Sequence, residues 1–494
     1  MRWAAAIASG LLLAASFPPL DLGWLAWVAL VPVLVAGADL GPGAAFTTGW
    51  VTGAVAYGLD TSWFVTTLVR FTALDRPEAV AAHLAAVSVL AVYPGLFLLV
   101  VERARGGVWV PVVAWVATEW LRGWFFIGMP WARLGTTQHE TLVVAQLAEL
   151  GGVPLVSALI VATNAVVARW LQGARPVRAT GVLALALAAT WAWGTARLGA
   201  LSESVAKESL RVAVVPGKVD QRQKWDPGYG SRILDRYVGL TRQAMAQRPD
   251  LVVWPETALP FAFEQSAGRR ARIERLVREF RVPLLLGTIA SERRRGRRLR
   301  RNRVYALAAD GTVSGTYDKQ VLVPFGEYVP LGQVMPFVHP IVGGHVPIVA
   351  GEGQAPLAVG PARIGVLICY ESLLPGLARR HAAAGATLLA VLSNDGWYAG
   401  TAAPAQLAAS AVFRAIETRQ PLVRVANDGP SMLVDAAGRV VWRADDSGAP
   451  WHVVEVPPRG QAVSPHGEAL VIVVCVLATI AALVRPGRLG LDDA

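Results

Sequence analysis

Long apolar stretches with few charged residues run from Ala4 to about Ala200, and one more lies near the end of the chain. A helix needs about 20 apolar residues to cross a bilayer core, with a range of about 17–25. By that criterion the sequence predicts seven membrane spans before a more polar region and an eighth after it. The first two are short, so a hairpin that does not fully cross is an alternative for them. The predicted spans lie near 3–18, 23–39, 44–68, 78–101, 109–127, 150–171, 179–198 and 467–485.

The region between the seventh and eighth spans has the pattern of a soluble domain, from about Glu208 to Pro458. Short β-rich runs alternate there with helical stretches, which is typical of a layered α/β domain with a buried sheet. We therefore expect a membrane bundle over 1–200, a soluble domain over 208–458 and a last span over 467–485. The predicted strands are Leu210–Val215, Leu251–Pro255, Pro283–Ile289, Arg303–Ala308, Ile364–Tyr370, Thr387–Ser393, Leu422–Ala426 and Met432–Asp435.

The composition agrees with a membrane protein, because 54% of the residues are hydrophobic and 16% are charged, against about a quarter charged in soluble domains. The net charge of +11 comes largely from eight arginines between Arg293 and Arg303. Without them the charge is close to neutral, so a nucleic-acid partner is not expected. A charge run between two strands is usually a solvated hairpin. Attraction to anionic lipid head groups is the alternative.

Arginine distribution predicts the orientation, because cytoplasmic loops are enriched in Lys and Arg. With seven spans before the domain, both termini share one side and the domain lies on the other. Eight arginines on the terminal side against four in the opposite short loops favour cytoplasmic termini and a periplasmic domain. The first group is Arg2, Arg103, Arg105, Arg169, Arg175, Arg178, Arg485 and Arg488, and the second is Arg70, Arg76, Arg122 and Arg133.

Several classes of site are excluded by motif and count. The two cysteines, Cys369 and Cys475, are too few for a zinc site of the clustered Cys/His kind, and the chain has no HExxH or GxxxxGK[ST] motif. No GxGxxG follows the first predicted strand of the soluble region, so a dinucleotide site is not expected. We therefore expect neither a metal nor a cofactor.

Reactive side chains follow three of the expected strands. Glu256 follows the strand of VVWPET, Lys319 ends TYDK, and Cys369 follows the strand of IGVLICYES. The ends of sheet strands are where α/β domains hold their chemistry. A thiol nucleophile needs a base to take its proton, and a lysine can lower the thiol pKa and stabilise an oxyanion. Each residue alone has a structural reading, as a core cysteine or a solvated charge, but together they predict acyl transfer.

The motifs WPET, YDK and CYES resemble the Glu-Lys-Cys triad of the nitrilase superfamily. Within that superfamily the chain resembles the membrane-bound apolipoprotein N-acyltransferases. The resemblance extends over nearly the whole chain, and LVPFGEYVP after the lysine is not a general nitrilase feature. It rests on KWDP at 224–227, WPETALP at 254–260, YDKQVLVPFGEYVP at 317–330, ICYES at 368–372 and LSNDGWYAG at 392–400.

The resemblance implies an α-β-β-α sandwich and a role for each matching residue. Cys369 would be the nucleophile that carries the acyl group, Glu256 the general base and Lys319 the oxyanion stabiliser. Glu327 would be a second carboxylate of the site. Trp225, at the mouth of the pocket, and Tyr370 and Glu371, beside the cysteine, would be supporting groups. A surface aromatic is the alternative for Trp225.

The implied reaction moves a fatty acyl chain from a phospholipid, through a Cys369 thioester, to the N-terminal amine of a diacylglyceryl-cysteine on an apolipoprotein in the bacterial inner membrane. One rival is a membrane-tethered amidase acting on a small amide, although eight spans exceed what an anchor needs. The other is a transporter with an inactive domain, which the scarcity of charge within the spans disfavours. The almost uncharged segment 331–351 is either domain core or an arm that contacts lipid.

Overall fold

The computed structural model describes residues 1–125, 128–202, 209–294, 297–330, 348–353, 355–360, 362–444, 450–457 and 466–484. The chain divides into two compact units. We call the first the helical unit, which comprises residues 1–70, 74–200 and 464–494. The second, the sandwich unit, comprises residues 71–73 and 201–463.

Apolar helices build the helical unit. In the described part of the chain, four helices are long and apolar enough to cross a membrane, at Arg76–Ala104, Ala148–Leu171, Val177–Leu201 and Gly467–Val484. The helices up to the sandwich unit are α1 (Arg2–Ala15), α2 (Val31–Ala36), α3 (Pro42–Asp60), α4 (Trp63–Phe71), α5 (Arg76–Leu90), α6 (Val92–Ala104), α7 (Trp109–Trp124), α8 (Leu142–Ala145), α9 (Ala148–Leu171) and α10 (Val177–Ser202).

The other four predicted spans coincide with shorter or interrupted helices. The span expected at 44–68 is broken, since α3 ends at Asp60 and α4 begins at Trp63. The span expected at 23–39 consists of a 3₁₀ helix and the six-residue α2, which has a proline in its first turn. Among the four long helices, α9 contains non-helical φ/ψ values at Gly151 and Gly152. Eight spans therefore remain a prediction.

Two buried charged residues of α7 form hydrogen bonds with the backbone of the loop at residues 129–134. The carboxylate of Glu119, on α7, accepts hydrogen bonds from the Leu134 backbone N–H at 2.7 Å and from the Ser157 hydroxyl at 2.9 Å. Arg122, one turn further along α7, donates to the backbone carbonyls of Met129, Trp131 and Ala132. Since buried polar groups need such partners, these two charges within a predicted span hold loop backbone.

Two six-stranded sheets form the sandwich unit, in the orders β12-β1-β2-β3-β4-β5 and β11-β10-β9-β8-β7-β6. All eight strands predicted from the sequence are present, some with shifted ends. The strands are β1 (Leu210–Val214), β2 (Leu251–Val253), β3 (Leu284–Arg294), β4 (Arg297–Leu307), β5 (Val313–Asp318), β6 (Leu357–Val359), β7 (Ala362–Ile368), β8 (Leu388–Ser393), β9 (Leu422–Ala426), β10 (Met432–Val434), β11 (Val440–Arg443) and β12 (His452–Val456).

The two sheets pack face to face around one apolar layer, to which Val253, Val304, Val366 and Leu392 contribute from four strands. Helices cover the outer faces, so the four-layer α-β-β-α arrangement is confirmed. On the first sheet a second apolar cluster includes Tyr237 of α12. The helices that follow the start of the domain are α11 (Gln221–Lys224), α12 (Gly230–Ala244), α13 (Ala267–Phe280), α14 (Pro375–Ala383), α15 (Ala403–Thr418) and, in the helical unit, α16 (Gly467–Val484).

The arginine run lies on a long two-stranded ribbon, as the hairpin interpretation predicted. Strands β3 and β4 have 11 residues each. They pair antiparallel from Leu284↔Leu307 out to Arg294↔Arg297. At the near end the ribbon is part of the first sheet, and at the far end it carries the arginines.

Candidate functional site

The three residues that the sequence singled out lie at the ends of strands from both sheets. Glu256 follows β2 and Lys319 directly follows β5, both in the first sheet, while Cys369 directly follows β7 in the second. All three side chains are buried. The charges of Glu256 and Lys319 are close enough to the Cys369 thiol to shift its pKa. The structure therefore brings the three predicted groups together in one site.

Lys319 lies between two carboxylates. Its ammonium is 3.6 Å from Glu256 Oε1 and 2.9 Å from Glu327 Oε2, with a hydrogen bond of 3.0 Å to Glu327 Oε1. Burial alone lowers the pKa of Lys319, but Glu327 and Glu256 outweigh it and raise that pKa above its ordinary value. The lysine is therefore a fixed positive charge. Glu327, predicted as the second carboxylate, is its closest partner.

Asn302 of β4 joins the two carboxylates, and the sequence analysis did not identify it. Its Nδ2 donates to Glu256 Oε1 at 2.6 Å and to Glu327 Oε1 at 3.1 Å. Its backbone carbonyl accepts from the Lys319 N–H at 2.9 Å. In the sequence, Asn302 is a single amide immediately before the expected strand Arg303–Ala308 and within the arginine run, so nothing marked it as a site residue.

The second oxygen of Glu256 is held by the backbone. The Asn394 N–H donates to Glu256 Oε2 at 2.7 Å. Burial is the main reason that the pKa of Glu256 is raised, while Lys319 and these hydrogen bonds lower it and Glu327 raises it. A carboxylate with a raised pKa is a stronger proton acceptor. Glu256 is therefore suited to removing a proton from a poor acid.

Cys369 is that poor acid. Burial raises the pKa of its thiol above the ordinary value and Glu256 raises it further, whereas Lys319 lowers it. The expected effect of the lysine is thus present, but burial and the carboxylate outweigh it. The residue also has a φ of +51°, which is uncommon for a non-glycine residue and typical of functional positions. The thiol is neutral at rest and needs a base to react.

Glu371 braces the turn after Cys369 against the loop after Lys319. Its Oε1 accepts from the backbone N–H groups of Gln320 and Val321 at 2.7 and 3.1 Å. Its Oε2 accepts from the Ile368 N–H at 2.8 Å and from the Tyr317 hydroxyl at 3.1 Å. Burial raises the pKa of Glu371 to about 7. This supporting residue links the two sheets next to the site.

The other two predicted supporting groups differ in exposure. Tyr370 is buried beside the cysteine, whereas Trp225 is 38% exposed. The Trp225 ring lies 6.5 Å from that of Trp397, centroid to centroid. Tyr398 comes next in the chain; burial is the main reason that its pKa is raised, and its proximity to Cys369 adds to the rise. Both Trp397 and Tyr398 belong to LSNDGWYAG, which carried the resemblance without an assigned role.

Three further buried charged residues, Asp395, Arg424 and Lys224, had no role assigned from the sequence. Nη2 of Arg424 donates to both carboxylate oxygens of Asp395, at 3.0 and 2.7 Å. Lys224, of the KWDP motif, is fully buried, and its Nζ has no hydrogen-bond partner among the described residues. Burial lowers the pKa of Lys224 to about 7, although Glu256 and Asp428 raise it. An amine of this kind is unusual in a protein interior.

Metal-ligating side chains group once within the described residues, in the helical unit. Asp21, His139 and Glu140 each have a ligand atom within 4.8 Å of the others. His139 Nε2 lies 3.4 Å from Asp21 Oδ2, so this pair also links the loops that carry them. The sequence analysis expected no metal, and this group is distinct from the residues that it assigned to the site. The predicted lipid arm falls mostly on 331–347, outside the described residues.

Comparisons with known proteins find relatives along both units. One family model, described as apolipoprotein N-acyltransferase N-terminal domain, matches residues 9–166, and another, carbon-nitrogen hydrolase, matches residues 211–457. The chain is 38% identical over 447 residues to an apolipoprotein N-acyltransferase of Geobacter metallireducens, with 88% of this chain and 85% of that protein covered. For the enzyme of the same name from Azotobacter vinelandii the identity is 35% over 453 residues, covering 89% and 86%.

Two solved structures align with part of the chain at low sequence identity. The crystal structure of a carbon-nitrogen hydrolase from Helicobacter pylori aligns at 18% sequence identity with a TM-score of 0.39, covering 57% of this chain and 96% of that chain. The nitrilase-superfamily protein Nit3 from Saccharomyces cerevisiae aligns at 19% identity with a TM-score of 0.40, covering 52% and 93%.

Proposed function

The chain belongs to the apolipoprotein N-acyltransferase family, and from that premise we propose that it carries a fatty acyl chain on Cys369 from a phospholipid to the N-terminal amine of a diacylglyceryl-cysteine. The observation that supports this most is the buried Cys369 thiol beside a carboxylate and a fixed ammonium. Neither a metal nor a cofactor is needed for the chemistry, because ester, thioester and amide exchange one acyl group.

In the first half-reaction Glu256 takes the proton from the Cys369 thiol as the sulfur attacks the ester carbonyl of the lipid. The oxyanion that forms is stabilised by the Lys319 ammonium, which Glu327 holds at 2.9 Å. The lysophospholipid oxygen leaves and takes the proton from Glu256. The raised pKa of Glu256 suits it to both transfers, because a carboxylate with a raised pKa is a stronger acceptor for the thiol proton and can then return it to the leaving oxygen.

In the second half-reaction the acceptor amine attacks the thioester. Glu256 accepts the amine proton, Lys319 stabilises the second oxyanion, and the cysteine sulfur leaves and recovers its proton. Tyr370 and Trp225 line this site in the proposal, and Glu371 keeps the cysteine turn and the lysine loop in register. Both half-reactions use the same three groups, which accounts for a ping-pong reaction in a single site.

Both substrates hold their acyl chains in lipid, and we propose that the enzyme meets them there as a multi-pass protein of the bacterial inner membrane. Eight spans, with residues 208–458 as a periplasmic catalytic domain and 467–485 as the last span, agree with the arginine distribution of the loops. Extraction of a long acyl chain into water costs about 0.8 kcal/mol per CH₂. A membrane bundle removes that cost.

Intact-mass spectrometry of the full-length protein in detergent tests the chemistry. After mixing with a phospholipid of known chains, we expect the mass to rise by one acyl group on Cys369, and the adduct to disappear when a diacylglyceryl peptide with a free N-terminus is added. Cys369→Ala is the matched control and should acquire no adduct. Glu256→Gln should block acylation, and Lys319→Ala should slow both half-reactions by about 10²–10³. An adduct in Cys369→Ala, or none in the wild type, would refute the proposal.

A separate measurement tests the orientation. A reporter that is active only in the cytoplasm, fused after Ala494, should be active. Protease added outside spheroplasts should cut the arginine run, where Arg293 and Arg298 are exposed. If the run is cut only after lysis, the catalytic domain is cytoplasmic and the proposed topology is wrong.

A further inference from the structure

One face of the β3–β4 ribbon carries both Asn302, which contacts the catalytic carboxylates, and part of the arginine run. Side chains on a strand alternate between faces, so Arg300 and Arg298 share a face with Asn302. Asn302 contacts Glu256 and Glu327 on that face. On the paired strand, Ser291 stands opposite Arg300 and Arg293 opposite Arg298. A row of arginines therefore continues outward from the catalytic residues.

The opposite face of the ribbon also carries arginines, but acids neutralise them. Arg303 pairs with Asp318 at 2.5 Å and with Glu292 at 2.7 Å. Arg301 lies 3.8 Å from the same Asp318 and donates to the Ala350 carbonyl at 2.7 Å. Arg301 and Arg303, the arginines of that face whose side chains the structure describes, therefore have partners within the fold.

The row that continues from Asn302 has no such partners. Within the described residues, Arg293, Arg298 and Arg300 form no ion pair, and Arg298 donates to the Ser291 hydroxyl at 2.8 Å. Arg298 and Arg293 face each other directly across the strands, which is destabilising for like charges. Arg300 is half-buried, and the charge that acts on it most is that of Arg298. Three arginines on one face of the ribbon, with no acidic partner among the described residues, favour an anionic ligand.

The spacing matches a glycerophospholipid. The Lys319 backbone N–H bonds to the Asn302 carbonyl, so the lysine and Asn302 occupy one row of the sheet. Arg300 is two residues further along β4, so its Cα lies roughly 7 Å from that of Asn302 at the usual strand rise. Six single bonds separate the sn-1 ester carbonyl carbon from the phosphorus, and their extended length is also roughly 7 Å. A lipid with its carbonyl at Lys319 can therefore bring its phosphate to Arg300.

We propose that Arg300 binds the phosphate of the acyl donor, and that Arg298 and Arg293 extend this subsite toward anionic head groups. This inference rests on the proposed function, since it takes a phospholipid as the donor. Guanidinium binds phosphate through two parallel hydrogen bonds, which would orient the ester toward Cys369. The diacylglyceryl acceptor has no phosphate, so the subsite acts in the first half-reaction only.

Two donors with the same acyl chains test the subsite, a phospholipid and the corresponding diacylglycerol. The rate of Cys369 acylation is measured by mass spectrometry on the full-length enzyme in detergent. Arg300→Ala should lower kcat/KM for the phospholipid by roughly 10–100-fold, as expected for loss of a charge-assisted contact, and leave diacylglycerol unchanged. Arg300→Lys should recover part of the loss. Arg301→Ala, the adjacent arginine on the opposite face, is the matched control and should not change the ratio of the two rates.

Each other outcome is decisive. Equal losses with both donors in Arg300→Ala would mean a structural effect, and no loss with either would mean no contact; both overturn the subsite while the proposed function stands. A wild-type enzyme that phospholipid does not acylate would refute the proposed function itself. Inorganic phosphate distinguishes the source of the anion: weak inhibition that Arg300→Ala removes supports the subsite, whereas tight inhibition would identify free phosphate as the ligand and overturn the donor assignment.

The outer two arginines give an independent readout. In Arg293→Ala/Arg298→Ala the rate with phosphatidylglycerol should fall more than the rate with phosphatidylethanolamine, because the first head group carries a net negative charge and the second is zwitterionic. The difference should shrink at high salt, since exposed charges are screened. Equal effects on the two lipids would remove Arg293 and Arg298 from the subsite.

Discussion

Replacement of Asn302 by leucine should move the pH dependence of Cys369 acylation. Asn302 donates to Glu256 at 2.6 Å and to Glu327 at 3.1 Å, and its hydrogen bond lowers the pKa of Glu256. Leucine has a similar volume and no donor, so the carboxylate loses a partner while the apolar surroundings are kept. The pKa of Glu256, already raised by burial, should rise further.

The magnitude follows from the strength of that hydrogen bond. A hydrogen bond to a charged group contributes about 1.5–3 kcal/mol, and one pKa unit corresponds to about 1.4 kcal/mol. The pKa of Glu256 should therefore rise by about 1–2 units. Because only the ionised carboxylate accepts the thiol proton, the acidic limb of the rate profile should move to higher pH by the same amount. At alkaline pH, where Glu256 is ionised in both proteins, the rates should converge.

The assay is single-turnover acylation of the full-length enzyme across the pH range, quenched and read by intact mass. Thr288→Val is the matched control, because Thr288 is a buried polar residue of the same ribbon whose hydroxyl bonds to the Leu259 and Phe261 carbonyls. Its acidic limb should coincide with that of the wild type. An Asn302→Leu enzyme whose rate falls equally at every pH, or whose limb moves to lower pH, would refute the role given to this hydrogen bond.

Three further changes should act on the support of the site. Glu371→Gln should lower Tm, and should lower kcat by at least about tenfold, because its new amide N–H₂ would face backbone donors at 2.7–3.1 Å. Gly287→Ala should slow the acylation of Cys369 while Tm changes little, since its Cβ would lie 2.8 Å from Glu256 Cα and displace the base. Lys224→Met should raise Tm in detergent, because a buried amine with a pKa of about 7 is costly to keep charged.

Each of the three has an outcome that would contradict it. Unchanged turnover in Glu371→Gln would mean that the brace is not needed, and full acylation in Gly287→Ala would mean that Glu256 tolerates displacement. For Lys224 the sign of the pH dependence decides. Its folded pKa is below its unfolded value of 10.5, so the wild type gains stability as pH rises above about 7, and the advantage of methionine should be largest below about pH 7. An advantage that grows with pH would contradict the argument.

The sequence predicted most of the soluble fold, because buried strands are short runs rich in β-branched residues. It predicted the site because reactive residues follow three of those runs. The eight predicted strands are present, and Glu256, Lys319 and Cys369 were expected at strand ends, where the structure has them. Strands β5, β6, β11 and β12 were not among the eight, although a strand end was expected at Lys319, which follows β5. These runs of three to six residues carry little periodicity. In the helical unit composition predicted helices but did not reveal interruptions such as the break between α3 and α4.

What the sequence could not predict were contacts between residues far apart in the chain. Asn302 reaches Glu256 across 46 positions, and neither the spacing nor the residue type indicates that pairing. Lys224 was within a recognised motif, but its burial without a hydrogen-bond partner among the described residues depends on the packing of the whole domain. The direction of the Cys369 pKa shift was also out of reach, since it results from burial opposing Lys319.

The two sheets contribute separately to the chemistry, with Glu256 and Lys319 on one and Cys369 on the other. The gap between base and nucleophile depends on the apolar layer between the sheets, on the Glu371 brace and on the Asn394 N–H, which follows β8 of the second sheet and donates to Glu256. The turnover rate is therefore sensitive to how closely the two sheets pack against each other. A preparation in which the layers have slipped by a fraction of an ångström would retain its secondary structure and its membrane helices, and would be inactive.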